Sequence, residues 1–239
     1  MTHARKHSAR SDAARPFPRL SPEPLERRLL MAADKAPEVD AVFVNGTSWT
    51  PAFRTYLEDG RDGSAQFGYE ADGQQNKAII PWVNINQISV QFSEPVTGVD
   101  ASDLQIESAT GEDYVVTGVV YDAATNTATF SLAEPISAGD ILSLTIDSAA
   151  VTDATGNGLK ADFTKDLPVL PGDADQSGEV TPEDTEGVFA RFLTSTEDAR
   201  VDTGPDRAKY SIFFDVDGSG RILAFDYAEV LQREGDSLP

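Results

Sequence analysis

A stretch of acidic and hydroxyl side chains near the C-terminus could hold a hard metal cation. It runs from Asp173 to Asp184, is called loop one here, and has oxygen-bearing side chains at positions 1, 3, 5, 9 and 12. Gly178 occupies position 6, where such a loop turns sharply, and position 7 would contribute its backbone carbonyl. Ca²⁺ takes six to eight oxygen ligands, which a tight loop of alternating ligands supplies. The predicted ligands are Asp173, Asp175, Ser177, Glu179 through its carbonyl, Thr181 and Asp184.

The same pattern recurs from Asp215 to Asp226, called loop two. Positions 1, 3, 5, 6 and 12 repeat as Asp, Asp, Ser, Gly and Asp, which is the spacing of an EF-hand calcium loop. Leu223 at position 9 has no side-chain oxygen, so we expect water there and tighter binding by loop one. Val180 and Ile222 at position 8 are expected to form a short β contact that couples the loops. The predicted ligands are Asp215, Asp217, Ser219, Arg221 through its carbonyl, and Asp226.

Each loop leads into a short predicted helix. Thr181 can cap the first helix, Pro182 suits its first position, and Asp184 completes a pattern like a capping box. A plain Asp-Gly surface turn is the alternative for either loop alone, but two loops in the same register, each followed by apolar residues at helical spacing, favour calcium. The apolar positions expected along the two helices are Val188, Phe189, Phe192, Leu193, Tyr227, Val230 and Leu231.

The C-terminal region has little material for a core of its own. Residues 171–239 hold 16 acidic and six basic residues and few apolar ones, and a core this small is marginal. Calcium binding is therefore expected to supply folding free energy. We expect chelation to unfold residues 171–233 while the rest stays folded, and Asp173→Ala to destabilise more than Asp215→Ala.

The middle of the chain shows the period-two alternation of strands with one buried face. About seven short strands separated by turn clusters predict a β-sandwich, and the lack of long helical stretches argues against a nucleotide-binding α/β fold. The alternating apolar residues are Ile88, Val90, Phe92, Leu104, Ile106, Ala128, Phe130, Leu132, Leu142, Leu144 and Ile146.

Residues 46–77 lack this alternation and are interpreted as a long insertion. Trp49, Phe53, Tyr56 and Leu57 could fold it onto the sandwich as a short helix. Loops of this length are uncommon. The insertion is therefore either an ordered decoration or a ligand-binding loop.

The predicted sandwich resembles the bacterial Ig-like domains of surface proteins. The matching phrases are VQFSEPV with GVDASDL, then YDAATNTATFSLAEPISAGDILSLTI, then VTDATGNGL. The resemblance covers residues 80–165. Because its residues are mostly turn and core positions, it implies a fold and not an activity.

The paired loops resemble a type I dockerin, which carries two loop–helix units with Asp at position 12. The lead-in LPGD and the phrase FDVDG match that family, over residues 171–233. The resemblance implies calcium binding at both loops. The loops begin 42 residues apart, and positions 10 and 11 are not the Ser-Thr-like pair by which dockerins often recognise cohesins. Recognition of a cohesin therefore stays open.

The first 36 residues differ from the rest in charge. They hold eight basic and four acidic residues, whereas the whole chain has a net charge of −21. With four prolines and almost no apolar periodicity, this tail is expected to be disordered, as either a targeting segment or an inert tail. The run from Glu23 to Leu30 resembles the LEPR-XLL segment of many bacterial secreted and surface proteins, which implies export.

Composition argues against several classes of function. A strongly acidic chain is a poor ligand for nucleic acid, and the absence of cysteine removes disulfides and thiolate sites. The longest apolar run is five residues, whereas a membrane-spanning helix needs about 20. Both histidines lie in the tail, so a His-based triad or zinc site is not expected.

These patterns predict a mainly β protein with an Ig-like sandwich, followed by a small α-helical, dockerin-like domain with paired EF-hand loops. The expected boundaries are 1–36 for the basic export tail, 37–168 for the sandwich and 171–236 for the calcium-binding domain. The predicted function is a non-catalytic, secreted or cell-surface module for adhesion or assembly. The alternative is an accessory subunit of a polysaccharide-degrading complex. The expected partner is a cohesin-like domain or another surface protein, without nucleic acid or a membrane span.

Overall fold

The structure, a computed structural model, describes residues 35–71, 79–198 and 209–239. The chain divides into two compact units, Met1–Lys35 and Ala36–Pro239. Nearly all of the predicted export tail, including the run that resembles LEPR-XLL, lies outside the described residues. Among the described residues, no helix has the length and apolar character to cross a membrane.

Two antiparallel sheets form much of the second unit. The strands among the described residues are β1 (Val39–Asn45), β2 (Gly63–Ser64), β3 (Gly68–Glu70), β4 (Ile85–Phe92), β5 (Gln105–Ser108), β6 (Val116–Asp122), β7 (Thr127–Ile136), β8 (Asp140–Ile146) and β9 (Phe163–Val169). The larger sheet has the order β2-β3-β1-β4-β7-β6, and the smaller sheet has the order β5-β8-β9. This mainly β, two-sheet architecture agrees with the predicted sandwich.

The predicted alternation gives the strands their buried faces. In β8, Leu142, Leu144 and Ile146 are fully buried while the residues between them are half-buried. At the centre of the larger sheet, Ile88 of β4 lies opposite Val44 of β1 and Phe130 of β7. Period-two apolar patterning thus predicted the core-facing residues of the main strands.

The insertion forms a helix and a hairpin against the larger sheet. Helix α1 (Pro51–Gly60) begins after Thr50, whose side chain accepts a hydrogen bond from the Phe53 amide at 3.2 Å. Phe53 and Leu57 are fully buried on its inner face. The short helix predicted for this segment is confirmed, and β2 and β3 extend the sheet beside it.

The described residues of the C-terminal region, 171–198 and 209–239, include two α-helices and one short 3₁₀ turn. Helix α2 (Pro182–Ala190) follows loop one, the 3₁₀ turn (Ile212–Phe214) precedes loop two, and helix α3 (Ala224–Leu231) follows it. Val188 and Val230 are fully buried, but Phe189 is 68% exposed and Leu193 is 77% exposed. Phe189 and Leu193 were predicted as apolar positions along the first helix, but both are exposed, and Leu193 lies beyond the end of α2 at Ala190.

An aromatic cluster joins the C-terminal region to the sheets. The ring of Trp82 stacks on Phe213 with centroids 5.6 Å apart, and it also contacts Trp49 and Tyr69. The Trp82 indole nitrogen donates to the Ile212 carbonyl at 3.0 Å. One continuous apolar core therefore includes residues of both parts of the second unit.

Candidate metal centres

In loop one, three carboxylates converge on one point. Oxygens of Asp173, Asp175 and Asp184 lie within 4.8 Å of one another. Backbone amides hold Asp173 in place, because both the Ser177 and the Gly178 N–H donate to its carboxylate at 2.9 Å. Gly178 has a φ of 93°, which confirms the sharp turn expected at position 6. The chain thus folds so that the first ligand position faces the third and the twelfth.

Asp184 ties loop one to the start of helix α2. Its carboxylate accepts from the Asp175 amide at 2.9 Å and from the Thr181 amide at 2.8 Å. The Thr181 hydroxyl, predicted as the position-9 ligand, lies 3.2 Å from the same carboxylate. Asp184 therefore serves as a helix-capping side chain and as a member of the cluster.

Two further predicted ligand positions are adjacent in the loop. The Ser177 hydroxyl donates to the Glu179 carbonyl at 2.9 Å. This contact places the position-5 hydroxyl beside the position-7 carbonyl, so both oxygens belong to the same short segment. The structure thereby brings the predicted oxygen donors of loop one into one small volume.

Loop two repeats the same framework. Oxygens of Asp215, Asp217 and Asp226 lie within 4.8 Å of one another. The Ser219 amide donates to Asp215 at 3.0 Å, and the Ser219 hydroxyl donates to the Arg221 carbonyl at 2.9 Å. Asp226 accepts from the backbone at the start of α3, as Asp184 does at the start of α2.

Loop two differs in what surrounds it. The hydroxyl of Tyr210 donates to the Asp215 carboxylate at 2.5 Å, in addition to the amides from the loop itself. Sequence reasoning missed Tyr210, because a hydroxyl five residues before a loop is not part of any ligand spacing. Leu223 stands at position 9 without an oxygen, as predicted, and only its backbone amide contacts Asp226, at 2.8 Å.

Burial and the nearby negative charges raise the pKa of carboxyl groups in both clusters. Burial raises the pKa of Asp173 to about 6, and the charges of Asp184 and Asp175 add to the rise, while two loop amides oppose it. Burial likewise raises the pKa of Asp226 to about 7 and that of Asp215 well above its usual range. Without a cation, the charged form of each of these side chains is disfavoured.

A turn built around a single aspartate provides a contrast. In the turn after Thr152, the Asp153 carboxylate accepts from the backbone and side chains of Thr155 and Asn157. Burial acts to raise its pKa, but these hydrogen bonds prevail and lower the pKa to about 2. A single carboxylate satisfied by its own turn needs no cation, whereas the two loops crowd three carboxylates each.

The expected β contact between the two loops is not formed. Val180 of loop one exchanges backbone hydrogen bonds with Gly235 and Asp236 at the C-terminus. Ile222 of loop two bonds to Leu193 and Thr194, the segment that follows α2. The position-8 residues thus pair with chain segments outside the loops, so direct β coupling of the two centres was a wrong expectation.

A match to a known sequence family covers most of the predicted sandwich. Residues 75–167 match the sequence family described as the bacterial Ig-like domain. No curated protein resembles the chain closely enough to count as a match. The family match agrees with the two-sheet fold and lies outside both metal loops.

Several solved structures share weaker similarity. The N-terminal part of the bacterial S-layer protein SbsC is 15% identical, with a TM-score of 0.36; the alignment covers 58% of this chain and 24% of that one. Domains 1–6 of SbsC give 15% identity, a TM-score of 0.35 and coverages of 58% and 14%. A chain from an interface mutant of a type II cohesin–X-dockerin complex of Acetivibrio cellulolyticus gives 19% identity, a TM-score of 0.25 and coverages of 56% and 81%. This chain thus spans about a quarter or less of the S-layer chains.

Proposed function

We propose that residues 171–239 bind two calcium ions, one in each loop, within a non-catalytic protein of the cell surface. The observation that carries the proposal is the repeated cluster of three carboxylates within 4.8 Å. The predicted donors in both loops are oxygens, which suit a hard cation such as Ca²⁺ and do not suit softer metals. Two independent loops with one framework are more than an accident of acidic composition.

Electrostatic repulsion within each carboxylate cluster supports the binding of a cation. Three carboxylates at this separation repel one another, and a divalent cation offsets that repulsion. Asp173 and Asp215 are both fully buried, so they cannot rely on bulk water for screening. Metal binding would then contribute directly to the free energy of folding of the C-terminal region.

The surface location rests on the sandwich and on the tail. The match to bacterial Ig-like domains supports an extracellular or cell-surface role, and the resemblance of residues 23–30 to a LEPR-XLL segment supports export. Cell fractionation tests this part of the proposal. Recovery of the protein in the envelope or medium is expected, and recovery only in the cytosol would contradict it.

Titration calorimetry of the full chain tests the calcium sites. After chelator treatment, Ca²⁺ should bind with two equivalents, and dissociation constants in the broad range of about 10⁻⁷–10⁻³ M are expected. Mg²⁺ should bind more weakly, because it demands octahedral geometry and dehydrates reluctantly. The matched control is the double variant Asp173→Asn with Asp215→Asn, which should bind neither ion. Absence of heat together with an unchanged melting curve would refute the proposal.

A second candidate function is docking to a cohesin-type partner. It is favoured by apolar side chains that the two C-terminal helices leave in solvent: Phe189 at 68% exposure, Leu193 at 77%, Phe225 at 54% and Leu231 at 47%. Exposed apolar side chains grouped on one region often mark a protein interface. Ring contacts connect Phe189 to the second helix, since Phe189 contacts Phe192 and Phe192 contacts Tyr227 of α3.

A binding experiment with purified components tests this second function. Immobilised full-length protein is exposed to recombinant type I and type II cohesins, with calcium and with chelator. Calcium-dependent binding that is lost in Leu193→Glu and kept in Val120→Glu would support docking. Val120 is a suitable control because it is 72% exposed on the distant strand β6. If neither cohesin binds, docking to a cohesin is refuted, and adhesion or assembly through the Ig-like part remains as the proposed role.

A further inference from the structure

We propose that calcium in loop two holds the insertion helix α1 in place, so that this loop, and not loop one, controls the order of α1 and the environment of both tryptophans. The inference rests on the proposed calcium binding and concerns its regulation of the fold. It follows from three contacts that join loop two to a segment more than 150 residues earlier in the chain.

The first contact is made by Thr50, the residue that caps helix α1. Its amide donates to the Gly218 carbonyl at 2.9 Å, and its hydroxyl donates to the Ser219 carbonyl at 2.9 Å. The same hydroxyl accepts from the Phe53 amide and so closes the first turn of the helix. The start of α1 and the backbone of loop two are therefore fixed to each other through one side chain.

The second contact is the packing of Trp49 on Gly218. A Cβ on Gly218 would lie 2.3 Å from the Trp49 ring, and Trp49 is only 2% exposed. Gly218 is at position 4 of its loop and has a φ of 67°, while Gln176 at position 4 of loop one has a φ of 65°. Both loops need the same left-handed backbone there, and loop one achieves it with a full side chain. Glycine in loop two is thus required by the tryptophan and not by the loop.

The third contact passes through a ligand side chain. Tyr210 donates its hydroxyl to the Asp215 carboxylate at 2.5 Å, and its ring lies edge-on to Tyr56 of α1 with centroids 5.0 Å apart. Any change in the position of Asp215 is therefore passed to Tyr56 in the middle of α1. The link runs through two aromatic rings and needs no change in the sheets.

Loop one makes its outside contacts elsewhere. The Gly178 carbonyl accepts from the Leu238 amide at 3.2 Å, and Val180 bonds to Asp236 and Gly235 near the C-terminus. Ile79, which follows the insertion, would be 3.9 Å from a Cβ on Gly178. Loop one therefore provides a matched comparison with the same ligand framework and a different neighbour.

Calcium would act on α1 through the shape of loop two. When the cation offsets the repulsion among Asp215, Asp217 and Asp226, the carbonyls of Gly218 and Ser219 stay where Thr50 can reach them. When it is removed, the loop opens and α1 loses its N-terminal partners. Because such coupling is reciprocal, the α1 contacts must in turn favour calcium in loop two.

The first test compares two variants at the same ligand position. Asp217→Ala removes the position-3 carboxylate from loop two, and Asp175→Ala removes the same ligand from loop one. Hydrogen exchange of α1 amides in the full chain should slow about fivefold or more on calcium addition, and both tryptophans should change their emission. Asp217→Ala should lose these responses, and Asp175→Ala should keep them. An equal loss in both variants, or a loss only in Asp175→Ala, would overturn the proposal.

The second test runs in the opposite direction. Thr50→Val removes the hydroxyl that contacts the Ser219 carbonyl, and we expect calcium affinity at loop two alone to fall about fivefold or more. Thr55→Val is the matched control on the exposed face of α1 and should leave both affinities unchanged. An equal affinity in Thr50→Val and the unmodified chain would count against the coupling.

The two proposals fail in different ways. If calorimetry detects no calcium binding, the proposed function itself is wrong. If two calcium ions bind but α1 exchange and tryptophan emission stay constant, the calcium sites stand and only the coupling to α1 is wrong.

Discussion

Loops one and two have almost the same ligand framework and different surroundings. In each, two loop amides bind the position-1 carboxylate and the position-12 carboxylate binds the amide before the following helix. Loop one contacts the C-terminal segment, whereas loop two contacts α1, Tyr210 and Trp49. The comparison shows that a local motif fixes how the three carboxylates are arranged, while the surrounding segments decide which part of the protein contacts them.

Removing calcium from both loops should have the largest effect. At a calcium concentration 100 times the dissociation constant, each site contributes about 2.7 kcal/mol to stability. Two sites would then raise Tm by about 10–20 °C in a chain of this size. Thermal melts with calcium and with chelator measure this difference. The shared core and the loop-two contacts lead us to expect that α1 loses order together with residues 171–239, and equal melting curves would contradict the expectation.

Gly218→Ala should have the next largest effect, although it removes none of the predicted ligands. A left-handed φ costs alanine about 1–2 kcal/mol, and the clash with Trp49 adds about 1–3 kcal/mol of overpacking. The control is Gln176→Ala, which has the same backbone conformation in loop one and should cost less than about 1 kcal/mol. Chemical denaturation in calcium measures both, and similar losses would show that the Trp49 contact does not matter.

Replacing the aspartate at position 1 of each loop should have the third largest effect, and the size of that effect should differ between the two loops. In calcium, Asp215→Ala should reduce the free energy of unfolding by about 1–3 kcal/mol more than Asp173→Ala, because it also leaves the buried Tyr210 hydroxyl without its acceptor. Sequence alone led to the opposite order, since Leu223 gives loop two fewer oxygens. Chemical denaturation of the two variants measures which loses more stability. A larger loss in Asp173→Ala would mean that the number of ligands matters more than the buried surroundings of the aspartate.

Tyr210→Phe should have the smallest effect of the four. It keeps the ring contact with Tyr56 and removes only the hydrogen bond to Asp215. Loss of a partner that orients a metal ligand typically costs about 10-fold or more in affinity, so we expect loop two to weaken by about that factor while loop one is unaffected. Calorimetry resolves the two sites. A parallel weakening of loop one would mean that the hydroxyl acts on the whole region and not on Asp215.

The strands and the loop frameworks could be predicted because their signals are local. Leu142, Leu144 and Ile146 alternate with more polar positions, and all three are buried on one face of the sheet. The position-12 aspartates Asp184 and Asp226 cap the helices that follow them, so their ligand spacing and their helix signals agree. Features whose interactions form between residues close in the sequence can therefore be predicted from the sequence.

Other predictions failed because their outcome depended on distant segments. Phe189 and Leu193 have the spacing of a buried helix face, but α2 ends at Ala190, Leu193 has a left-handed φ of 65°, and both side chains remain exposed. Val180 and Ile222 stand where paired loops meet, but each finds its hydrogen bonds in a segment outside the loops. Hydrophobic spacing indicates that a residue can be buried, but it does not indicate which other segment of the chain packs against that residue.

The acidic and hydroxyl residues of each loop, their order and the glycine at its turn can be read from the sequence, because they obey short-range geometry. The contact of loop two with α1, the hydrogen bond from Tyr210 to Asp215 and the lack of space for a side chain at Gly218 became visible only in the folded chain. These three features depend on contacts between segments far apart in the chain, and the packing of the whole core brings those segments together.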